Sequence, residues 1–175
     1  VSGGIAVGIT LGDELTQALR RAREAALDLT GPMKAIAAHL ETTTILRFED
    51  ERGPDGVPWK PSQRVLDNPG SKTLQLRGHL KDSIQANSGR DFAEVGPANS
   101  GGPAIYAAIH QFGGTIKPRT KGALSFAGRV VAAVRIPARP YLGFTDENRE
   151  EAIAAIRDHL YAAFISGGGA PAVPE

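Results

Sequence analysis

The sequence predicts an α+β fold: an antiparallel sheet built from hairpins, packed against N-terminal helices and a C-terminal helix. Three observations carry this reading. Apolar residues recur at helical spacing between residues 13 and 48. Two alternating segments, each folded about a Gly-containing turn, follow in the middle of the chain. A last amphipathic stretch begins after residue 145. The strands adjoin through hairpins, so no parallel crossover is required.

Taken in order, Ile5, Val7, Ile9 and Leu11 alternate with small residues and predict a short strand. Gly12 breaks it. Asp13 is a suitable N-cap, and Glu14 follows where the helix dipole favours an anion. Leu15, Leu19, Ala22, Ala26 and Leu29 then form one apolar stripe. Gly31-Pro32 punctuates, and a second helix carries Met33, Ile36, Ala37, Leu40, Thr44 and Phe48 on one face. Residues 53–69 read as a loop rich in Pro, Gly and Asp, and Leu76 to Ser83 as a short helix. The first hairpin pairs Ile84–Ser88 with Phe92–Gly96. The second pairs Ala123–Ala127 with Val130–Ile136 about Gly128-Arg129, a turn that suits type II′. Between them, residues 106–114 give one or two helical turns stopped by Gly113-Gly114. Asp146 is the expected cap of a final helix bearing Ile153, Ile156, Leu160 and Phe164. The expected organisation is a single domain over 1–166 and a flexible tail over 167–175.

The 175 residues suffice for one ordinary domain with its own core. Twenty basic and nineteen acidic side chains leave a formal charge of +1, which argues against nucleic-acid binding as the main task. The chain has no cysteine, so disulfides, zinc–thiolate sites and thiol nucleophiles are excluded. No apolar run reaches the roughly 20 residues of a membrane span, and the N-terminus lacks a signal-peptide pattern. The expectation is a protein made in the cytoplasm with no membrane partner.

Three motifs stand out. In PDGVPW (54–59) the prolines stiffen the loop around Trp59, the single tryptophan. It can plug the core at a loop base or anchor a protein interface. In YAAIHQFGG (106–114), His110 invites a catalytic reading, but no nucleophile elbow frames it and no second His lies at helical spacing. Hydrogen bonding at a helix end accounts for His110 and Gln111 better. In PARPYLG (137–143) two prolines three apart end the sheet or form its edge. There Arg139 is suited to a carboxylate, and Tyr141 and Leu142 to covering the core. These residue types, in this pattern, indicate neither a cofactor nor a metal.

In this order, Phe48, PDGVPW, LRGHLKDSI (76–84), Val95-Gly96, YAAIHQFGG and IPARPYLGF (136–144) resemble the phage virion morphogenesis, or tail completion, family of Mu-like phages. The resemblance spans roughly residues 5–165. It implies a structural protein of the virion, made in the bacterial host, that completes the tail and helps join it to the head at the neck. It implies no catalytic residues. It implies partners: further copies in a ring, the tail tube protein, neck or head-completion proteins, and DNA passing nearby. The contact residues expected on this reading are Trp59, Tyr106, His110, Gln111, Phe112, Lys117, Arg119, Lys121, Arg139 and Tyr141. Substituting Arg119 or Lys121 is expected to impair assembly without unfolding the monomer. Two alternatives stand beside it: a tail-associated cell-wall hydrolase using His110 with Asp55 or Asp82, and a DNA-binding accessory protein using Arg20, Arg21, Arg23 and loop 117–121.

Overall fold

The computed structural model describes residues 12–98, 102–118, 122–126 and 129–166. The strand expected over 5–11, the tail over 167–175, and Arg119 and Lys121 lie outside them. The architecture is α+β, with helices at both ends and small antiparallel sheets between.

Helix α1 spans Asp13–Leu27 and α2 spans Thr30–Asp50. Gly12, not Asp13, is the N-cap of α1, and Asp13 joins Glu14 in its first turn. Between the helices Asp28 is extended, and its carboxylate accepts from both the backbone and the hydroxyl of Thr30. On α2 the expected face is the buried one: Ile36, Ala37, Leu40, Thr44 and Phe48, joined by Arg47. The stripe on α1 is rotated from its expected position. Ala18 is buried, whereas Leu15 and Leu19 are exposed. Ala18, a small side chain, is buried on α1, and Arg21 one turn on is half-buried and reaches α6 with its guanidinium.

Loop 51–62 leads to two short helices, α3 (Gln63–Asp67) and α4 (His79–Asp82). The first was not expected; the second is shorter than the segment read from Leu76 to Ser83. Strands β1 (Ile84–Ser88) and β2 (Ala93–Pro97) form the first hairpin, one residue later in its second strand than the turn residues suggest. Helix α5 (Gly102–Phe112) is longer than the expected one or two turns and ends at Gly113, whose φ of 71° is left-handed.

Strands β3 (Gly114–Ile116), β4 (Leu124–Phe126), β5 (Arg129–Val131) and β6 (Val134–Ile136) complete the sheets. Here the second hairpin differs from expectation. β4 and β5 pair only over three residues, with Arg129 opposite Phe126 in the ladder rather than in the turn. β6 leaves them and pairs with β3. The antiparallel strands are thus divided among three two-stranded ladders. Ala132-Ala133 breaks the run between β5 and β6, which lets the chain change partners.

Helix α6 spans Asp146–Ile165. Thr145 is its N-cap, in a capping box with Asn148, so Asp146 sits in the first turn instead of capping. Both α1 and α2 pack on α6, and α2 also packs on β1 and β2. Ile153 points to solvent, so the apolar face of α6 is narrower than its periodicity suggests. α1 and α6 cap each other. Arg21 donates to the carbonyls of Ala163 and Phe164 at 3.2 Å, and the His159 ring meets those of Ala25 and Asp28 at 3.2 and 3.1 Å. These carbonyls lie in the last turns of their helices or at the cap, where the regular intrahelical donors run out. The main core gathers Phe48, Trp59, Leu80, Ile84, Ala107 and Tyr141 from six different segments.

Candidate functional site

The YAAIHQFGG and PARPYLG motifs lock together. Residues 139–143 run extended, with no strand beside them, so their backbone groups need other partners. α5 supplies most of these. The His110 carbonyl accepts from Arg139 N–H at 2.7 Å. Gln111 Oε1 accepts from both Tyr141 and Leu142 N–H at 3.0 Å, and its Nε2 donates to the Leu142 carbonyl at 2.8 Å. One side-chain amide thus replaces a neighbouring strand. Gly113 allows the approach, since a Cβ there would lie 2.7 Å from Ala138 N.

The other side of the segment is held by α2 and the Pro-rich loop. Arg47, buried on α2, donates to the Tyr141 and Gly143 carbonyls at 3.0 Å and to Asn148 Oδ1 at 3.3 Å. Trp59 Nε1 donates to the Pro140 carbonyl at 2.9 Å, and Arg139 Nε to the Lys60 carbonyl at 2.7 Å. The Tyr141 hydroxyl reaches the Ala107 carbonyl at 3.4 Å, and burial pushes its pKa up to about 12.

These facts sort the residues singled out in the sequence. Trp59 and Tyr141 are core side chains, 6% and 1% exposed, so neither offers a free surface to a partner. Gln111 is committed to the 141–142 backbone. Phe112 stands out, 78% exposed, and Lys117 is exposed too. Tyr106, His110 and Arg139 come together: the Tyr106 and His110 rings meet edge-on at 5.9 Å, and all three line a groove of about 960 Å³. A neighbouring groove of about 480 Å³ shares them. Nothing local in the sequence marks the groove members from 60–66 and 134–136: the latter are placed by the β3–β6 pairing and the former by the loop and α3.

His110 Nδ1 is buried and without a hydrogen-bond partner among the described residues. Burial, with the Arg139 cation beside it, holds the imidazole below its usual value. The folded state therefore binds this proton less readily than the unfolded chain. The stability contribution is intact above the unfolded value of about 6.5 and is lost as pH falls below it. The melting temperature is expected to fall between about pH 7.5 and 5.5, and to fall less in His110→Gln. Thermal melts of both proteins across that range check this; equal slopes would remove His110 from the account.

The residues of the hydrolase alternative form no hydrogen-bonded dyad among the described residues. Asp55 Oδ1 accepts from Val57 N–H inside its own turn, and neither it nor Asp82 in α4 reaches His110 Nδ1, which is without a partner. Among the described residues no group of three His, Asp or Glu side chains is placed to hold a metal ion. Of the three arginines on α1, Arg21 is spent on the end of α6. Among the described residues no helix is long and apolar enough to cross a membrane.

Comparison with known proteins puts the chain among the structural proteins of bacteriophages. It belongs to the phage virion morphogenesis family, which matches residues 12–161. One relative is "Putative capsid assembly protein G" of Escherichia phage Mu, 34% identical over 143 residues, covering 74% of this chain and 78% of that protein. Another is "Mu-like prophage FluMu G protein 2" of Haemophilus influenzae, 30% identical over 156 residues, covering 89% and 96%. No solved structure matches.

Proposed function

We propose that the protein is a non-enzymatic subunit of the virion that completes the phage tail and helps join it to the head at the neck, assembled as a ring of copies. Family membership over residues 12–161 carries this reading. The geometry supports it: the most distinctive motifs hold the subunit rigid, while a groove beside them stays open for contact. Its partners are further copies, the tail tube protein and the neck or head-completion proteins, with DNA passing near. A second reading, action in capsid assembly, is favoured by the name of the Mu relative.

Electron microscopy of lysates from a phage with the gene disrupted separates the two. Filled heads lying apart from finished tails are expected. Missing or malformed heads would favour the capsid reading, and normally joined particles would overturn both.

A further inference from the structure

The two adjoining grooves have one electrostatic sign. Among the described residues their charged lining is Lys60, Arg64, Arg77, Arg135 and Arg139, with no aspartate or glutamate. Between these cations the walls are apolar, and some of the apolar side chains are bare: Leu66 is 63% exposed and Leu76 70%. Arg139 sits at the junction. It is 5% exposed, yet among the described residues only its Nε has a hydrogen-bond partner, and no carboxylate pairs with it. Its two terminal nitrogens are not enclosed orphans, since His110 Nδ1 alone has that status among the described residues. The guanidinium is therefore largely withdrawn from water with its terminal nitrogens open to the groove, and among the described residues it has no counter-ion; a carboxylate entering the groove would meet those nitrogens with a forked pair of hydrogen bonds.

The matching surface lies on the same chain. The first turns of α6 carry Asp146, Glu147, Glu150 and Glu151, all exposed, against one guanidinium, Arg149, which approaches Asp146 at 3.9 Å. Phe144 and Ile153 flank them, 60% and 58% exposed. This patch is acidic with bare apolar flanks, and the groove is cationic with bare apolar walls. The two share no residue.

We infer that the acidic first turns of α6 on one copy dock in the groove of the next copy, one carboxylate reaching Arg139. Because the surfaces differ, the contact is head-to-tail and leaves each copy with one surface unsatisfied until rotation closes a ring. The inference deepens the ring proposed above and rests on that reading.

Sedimentation of the purified chain at low salt and high concentration tests it, with Arg135→Glu and the pair Glu150→Lys, Glu151→Lys as variants. All three sites are exposed, so the variants retain the fold, which circular dichroism verifies. The wild type is expected to associate and to dissociate as salt rises. Each charge reversal is expected to weaken association by about tenfold or more, and mixing the two variants to restore it. A monomer under all conditions, association indifferent to both reversals, or failure of the mixture to recover would each overturn the contact. Binding of duplex DNA that Arg135→Glu abolishes, by a chain that stays monomeric, would assign the groove to nucleic acid instead. Separated heads and tails on gene disruption, together with a monomeric chain, would remove this contact and leave the neck role standing. Charge-dependent association with normally joined particles would do the reverse.

Discussion

Replacing Gln111 by Leu is expected to lower stability by about 3–4 kcal/mol. Leucine keeps much of the side chain's volume but has no polar atom. The N–H groups of Tyr141 and Leu142 lose their acceptor, and the Leu142 carbonyl loses its donor. Each polar group left unpaired away from water costs about 1–3 kcal/mol, and these are only partly shielded, so the lower end applies to each. The loss is a large share of the roughly 5–15 kcal/mol that holds a domain folded. It should appear as a fall of about 10 °C in melting temperature. Urea unfolding of wild type and Gln111→Leu measures it, and a change below about 1 kcal/mol would mean that the amide does not bind segment 139–143.

Truncating Phe48 to Ala is expected to cost about 3–5 kcal/mol. Phe48 is fully buried, and its ring touches two others: Trp59 edge-on at 5.5 Å and Tyr141 tilted at 5.2 Å. The loss combines the transfer of a large apolar group with a cavity that the rings around it cannot fill, since Trp59 Nε1 is tied to Pro140 and Tyr141 to Gln111. The chain has one tryptophan, so Trp59 emission reports on this site alone. Beyond the lower urea midpoint, the folded variant should show altered Trp59 emission. Unchanged emission and stability would place Phe48 outside the core.

The parts of the fold that were legible in the sequence are those written locally. The buried face of α2 could be read because its spacing persists over 21 residues. The first hairpin and the stop at Gly113 were marked by turn residues. What escaped depends on partners far along the chain. Hydrogen bonding by Gln111 at a helix end is legible, but nothing near it says that its amide serves residues thirty positions on. Trp59 and Tyr141 read as core side chains and interface anchors alike, because the residue types that grip a partner also serve a core that needs polar tips satisfied. The pairing of β6 with β3 could not be read because both strands are three residues long, too short for alternation to show. Thr145 was passed over for its neighbour Asp146, although Thr followed three positions later by the amide of Asn148 was the available signal. At the candidate site, Tyr106, His110 and Arg139 were named from the sequence, but the groove they share was not, because folding alone brings residues 60–66 beside them.

The interlock also sets when the protein can fold during its own synthesis. Ribosomes deliver the chain from its N-terminus, so Phe48, Trp59 and Ala107 emerge well before the segment that covers them. Until residues 139–148 leave the exit tunnel, Arg47 has none of its three acceptors and the aromatic cluster lacks Tyr141. The nascent chain therefore carries the Arg47 and Phe48 end of α2 without the segment that covers it, even after β1 and β2 have emerged to pack on the same helix. The aromatic cluster is completed only once that segment has emerged, and a message truncated before the codon for Arg139 yields a product with no finished core to assemble.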